Sequence, residues 1–146
     1  MMNLTTSLRL LTSALAMSLG PAPAWAQSAP APTLNLDLNA AQPSDKGCRL
    51  TFVVNNALGA DLSKAAFEIA LFNEAGVVDR LTVLDFKDLQ AGKTKVTRFD
   101  LSGADCGRID RVLINSATEC AGTGVEPATC MRGLKTSTKT GIAFGV

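Results

Sequence analysis

From Leu34 onward, apolar residues alternate with polar ones, and a repeat of two residues is the mark of half-buried β-strands. Leu34, Leu36 and Leu38 fall on one face of an extended chain, with Asn35, Asp37 and Asn39 on the other. Leu50, Phe52 and Val54 alternate with Arg49, Thr51 and Val53, and Asn55-Asn56 ends that run. Phe67, Ile69 and Leu71 make the next stripe, stopped by the turn Asn73-Glu74-Ala75-Gly76. Leu81 and Val83 follow it, so residues 65–84 read as a hairpin. Leu89-Gln90-Ala91-Gly92 is another turn, before a strand through Val96 to Leu101. Ile109 to Asn115 and Gly141 to Phe144 are the last two strands. The pattern predicts an all-β fold, an antiparallel β-sandwich of about seven strands.

One segment reads two ways. Asp61 to Phe72 (DLSKAAFEIALF) has an N-cap residue, strong helix formers, and Leu62, Ala65, Ala66, Ile69 and Phe72 at helical spacing. Strand is preferred, because Phe67, Ile69 and Leu71 alternate and a glycine turn follows directly.

The first 26 residues predict the compartment. Arg9 supplies a positive start, Leu10 to Leu19 an apolar stretch, Gly20-Pro21 a break, and Ala24-Trp25-Ala26 a small-x-small cleavage site. The stretch is shorter than the roughly 20 residues that span a bilayer. Paired arginines and a cysteine beside the cleavage site are both lacking, which argues against twin-arginine export and a lipid anchor. The expected organisation is a signal peptide over 1–26, a flexible Pro/Ala/Ser-rich leader over 27–33 and a β-sandwich domain over 34–146. A periplasmic or secreted protein with no membrane span after signal removal is expected.

Composition narrows the chemistry. After residue 26, thirteen basic residues balance thirteen acidic ones, so no electrostatic footprint for nucleic acid is present. The chain has no His and no Tyr, and its one Trp is Trp25. Imidazole-based triads and His metal sites are thereby excluded. No enzyme activity and no cofactor are expected, although carboxylate pairs, Lys or Ser-Lys chemistry stay open.

Cys48, Cys106, Cys120 and Cys130 all follow the export signal, an even number in an oxidising compartment, so disulfides are expected. A four-thiolate zinc site competes, but no C-x₂-C knuckle exists to hold a tetrahedral ion. Four cysteines allow three connectivities, which sequence alone does not separate. The preferred pairing is Cys48–Cys106, tying an early strand to the start of a late one, with Cys120–Cys130 closing the loop that holds Gly122, Gly124 and Pro127.

The run Phe67 to Gly76 (FEIALFNEAG) resembles the FxLyD motif of small immunoglobulin-like domains, with Leu89 to Gly92 similar to their later L-x-x-G turn. Asn55-Asn56 is similar to the Asn that ends the preceding strand in that family. Leu34 to Phe144 also resembles a family of uncharacterised exported alphaproteobacterial proteins, through CRLTFVVNN (48–56), AGKT (91–94), RVLIN (111–115) and a terminal Ser/Thr-Lys-Thr strand. The resemblance implies an immunoglobulin-like sandwich and no known activity. Some of those proteins carry twin-arginine leaders, from which this chain departs.

Three groups of residues are candidate sites. Asp79, Asp85, Asp88, Asp100, Asp105 and Asp110 lack the D-x-D-x-D-G spacing of a calcium loop and read as a solvated face. Lys93, Lys95, Arg98, Arg108 and Arg111 suit a carboxylate or phosphate, but interleaved acids favour edge protection. Asp105-Cys106-Gly107 and the Cys120–Cys130 loop, with Val125 and Met131, are candidate binding loops, the second being preferred. Two functions follow: an interaction module that binds an envelope protein by loops or by strand addition to an edge, or a periplasmic binder of small molecules or carboxylate/Lys enzyme.

Overall fold

The computed structural model describes residues 28–146; the expected signal peptide lies outside the described residues, as does Gln27. Strands β1 (Thr33–Ser44), β2 (Gly47–Ala57), β3 (Leu62–Phe72), β4 (Val78–Leu89), β5 (Thr94–Ser102), β6 (Arg111–Ala121), β7 (Leu134–Thr138) and β8 (Ala143–Gly145) are joined by turns, a 3₁₀ turn at Cys106–Arg108 and one helical turn, α1 (Thr129–Arg132). They form two four-stranded sheets, β5-β2-β1-β7 and β4-β3-β6-β8. The expected sandwich is what forms. Most pairings are antiparallel, but β7 runs parallel to β1 and β8 parallel to β6.

The alternating residues close the core between the sheets. Leu34, Leu36, Leu38, Leu50, Phe52 and Val54 from the first sheet meet Phe67, Ile69, Leu71, Leu84, Phe86, Val112 and Ile114 from the second, all buried. At its centre Phe52 meets Phe86, Phe99 and Phe144 edge to face, with ring centroids 5.6, 6.0 and 5.5 Å away. Such pairs stabilise by about 0.5–1.5 kcal/mol beyond the area they bury.

The segment that mimics a helix is strand β3. Register shifts between Leu62/Ala65 and Ala65/Ala66 reset the side-chain phase, which gives the strand its helix-like spacing. Ala66 and Ala70 are buried although they belong to the outward set, because β3 sits between β4 and β6.

Boundaries differ from expectation in three places. The strand expected over Ile109 to Asn115 begins at Arg111 and runs on to Ala121, skipping Asn115 and Thr118 as bulges opposite β3. Strand β7 was not read from the alternation. The last strand occupies Ala143–Gly145 rather than Gly141 to Phe144.

Both disulfides join the expected partners, Cys48–Cys106 with Cα atoms 5.0 Å apart and Cys120–Cys130 at 5.9 Å. No cysteine is left free, as befits a domain that folds in an oxidising, extracytoplasmic environment. No helix among the described residues is long and apolar enough to cross a membrane.

Candidate functional site

The two sheets present unlike outer faces. On the first, polar side chains saturate one another. Asn35 Nδ2 donates to Asn55 Oδ1 at 3.2 Å, Asn55 Nδ2 to Thr94 Oγ1 at 3.2 Å, and Ser137 Oγ to Asp37 Oδ2 at 2.7 Å. Arg49 grips Asp100 with two bonds, 3.0 and 3.1 Å, and holds that carboxyl below its ordinary pKa. Val96 is exposed there without an exposed apolar neighbour on its own strand.

On the second sheet a group of exposed side chains along β4 is apolar, beside polar ones such as the Lys64–Glu119 ion pair across β3 and β6. Val78, Leu81 and Val83 of β4 are 48, 56 and 50% exposed, and Val77 in the preceding turn is 58% exposed. Alternation turns Thr82 and Leu84 inward and Leu81 and Val83 outward. The register continues the row across the sheet, Leu81 beside Ala70, Ala70 beside Leu113, and Leu113 beside Gly145. One register step away, Val78 lies beside Phe72, whose ring carries the Arg111 guanidinium 5.7 Å from its centroid. Glu68, next to Val83, accepts from Asn115 Nδ2 at 2.6 Å.

β4 is also an edge. Its pairing with β3 is unbroken from Arg80 to Asp85, and nothing among the described residues pairs with its other side. Two cations fasten it to edge strand β5 of the opposite sheet. Arg80 Nη1 donates to Ser102 O at 2.7 Å, while Lys95 Nζ donates to Phe86 O at 3.0 Å and Asp88 O at 2.9 Å. Lys87, with φ 63°, forms the bulge between those two carbonyls. Its ammonium and backbone N–H both bond the Asp85 carboxyl, which lowers that group's pKa.

The basic residues considered as an anion site, for which edge protection is the favoured reading, are thus dispersed. Lys95 points between the sheets, Arg98 pairs in register with Thr51 on the first sheet, Arg108 lies in the 3₁₀ turn and Arg111 covers Phe72. The aspartates are dispersed as well. Asp85, Asp88 and Asp100 pair with Lys87, Lys95 and Arg49, and Asp105 accepts from Gly107 N at 2.9 Å. No three metal-binding side chains converge among the described residues. The preferred loop is also otherwise engaged, since Val125 and Met131 pack against the core.

Asp105-Cys106-Gly107, pinned by the Cys48 disulfide, borders a cleft of about 100 Å³ whose lining includes Asn73, Asp79, Ala104 and Arg108. Ligand pockets occupy about 300–1,000 Å³. Wider hollows beside Glu74 (about 420 Å³) and beside Asp61 and Asp88 (about 550 Å³) open broadly to solvent.

Sequence reasoning placed Leu81 and Val83 in a strand without marking them as a surface. The signal was present: Val83 and Leu84 are adjacent, so this strand is apolar on both faces. Comparison with family models, curated proteins and solved structures finds no match for the chain.

Proposed function

We propose that the chain is an exported, non-enzymatic interaction module of the cell envelope, periplasmic or secreted, that docks a protein partner on the outer face and free edge of β4. One observation carries this reading: Leu81 and Val83 stand half exposed on an edge strand whose ladder is unbroken from Arg80 to Asp85. Backbone groups of a free edge supply hydrogen bonds to an added strand, and alternate side chains supply selectivity. Exposed apolar side chains grouped on one face mark contact surfaces on soluble proteins. The resemblance of Phe67 to Gly76 and Leu89 to Gly92 to small immunoglobulin-like domains fits the same reading.

The test places a photo-crosslinking residue at Leu81, or at Val96 as a control, in intact cells. One dominant product is expected from position 81 and none from 96. Leu81→Asp should abolish association while leaving the unfolding free energy from urea titration within about 0.5 kcal/mol of the parent, as surface substitutions usually do. Equal yields from both positions, or capture of abundant bystanders alone, would overturn the proposal. A thermal shift with a small solute that survives Leu81→Asp would point to the small-molecule alternative.

A further inference from the structure

We draw no further inference here: the strongest candidate, the exposed apolar face along edge strand β4, belongs to the surface already described, and nothing in the structure shows what covers it.

Discussion

Replacing Asn56 probes how one polar side chain holds an end of the sandwich. The residue is 1% exposed, and its amide makes three bonds. Nδ2 donates to Ala60 O at 2.9 Å and Leu89 O at 2.8 Å, and Oδ1 accepts from Leu58 N at 3.0 Å. Its backbone donates to Lys93 O and accepts from Gly92 N. The end of β2, the loop after it and the β4–β5 turn therefore meet at one side chain. Asn56→Ala strips partners from two carbonyls and one N–H. Each buried group left without a partner costs about 1–3 kcal/mol, so with partial relaxation the loss should reach about 3–4 kcal/mol. That is a large share of the about 5–15 kcal/mol that stabilises an ordinary domain.

Urea unfolding of the oxidised protein, followed by circular dichroism, should show a lowered midpoint with an unchanged slope. Asn56→Asp sharpens the test, because an oxygen then replaces Nδ2 opposite the carbonyls of Ala60 and Leu89. Only the protonated acid can donate there, so folding raises this carboxyl's pKa. A raised folded-state pKa makes the variant relatively most stable below the unfolded value of about 3.9, and that stability is lost as pH climbs. Asn56→Asp should thus fall further behind Asn56→Ala from pH 4 to pH 7. A loss under about 1 kcal/mol for Asn56→Ala, or two variants that track each other across pH, would refute the reasoning.

Removing the disulfides one at a time should rank them by the chain they close. By chain entropy, the bridge across 58 residues contributes about 4 kcal/mol and the one across 10 about 2.7 kcal/mol, so Cys48→Ser/Cys106→Ser should lower the urea midpoint more than Cys120→Ser/Cys130→Ser. Lys95→Met keeps the stem but leaves Phe86 O and Asp88 O without their ammonium; a loss of about 1–2 kcal/mol is expected, with hydrogen exchange accelerating in β4 and β5 before other strands. Stability should be flat from pH 5.5 to 8, since the chain has no His. It should then decline in acid: bonds from Arg49 and Lys87 depress the Asp100 and Asp85 carboxyls, so their contribution is complete above the unfolded value of 3.8 and disappears as pH falls through the lower folded values. A midpoint that varies between pH 5.5 and 8 contradicts this.

What could be read in advance was local and periodic. Leu34/Leu36/Leu38 and Leu50/Phe52/Val54 alternate because each strand buries one face, and period two is printed in the sequence. The turns at Asn73–Gly76 and Leu89–Gly92 were legible for the same reason, each containing a glycine at φ 72°. Bulges erased that signal. In β3 they gave Leu62, Ala65, Ala66 and Ile69 a helical spacing, and in β6 the skipped Asn115 and Thr118 hid the strand's second half. Strand β7 escaped the alternation, though the resemblance includes a terminal Ser/Thr-Lys-Thr strand, because Leu134 and Thr136 are only partly covered, leaving no strong apolar stripe. The adjacency of Val83 and Leu84 marks a strand apolar on both faces, but that β4 lies at an edge is a fact of sheet order that no local pattern encodes.

Sheet order also supports the proposed choice of β4 among the edges of the described residues. β5 turns Lys95 inward and Arg98 outward, and an incoming strand would have to desolvate or displace them. β6 is irregular at Asn115 and Thr118, where its ladder with β3 is bulged, and β8 covers the start of its other side. β7 has five residues and β8 three, so each offers a shorter edge than the twelve-residue β4. On β4, Arg80 and Asp85 stand at the ends of the unbroken run, while Leu81 and Val83 lie between them. Charges at both ends discourage indiscriminate growth of the sheet, and the apolar centre favours a strand that brings matching side chains. Two half-exposed branched residues add little to the core and raise the risk of aggregation. Their place on this edge makes physical sense where contact with another chain removes them from water.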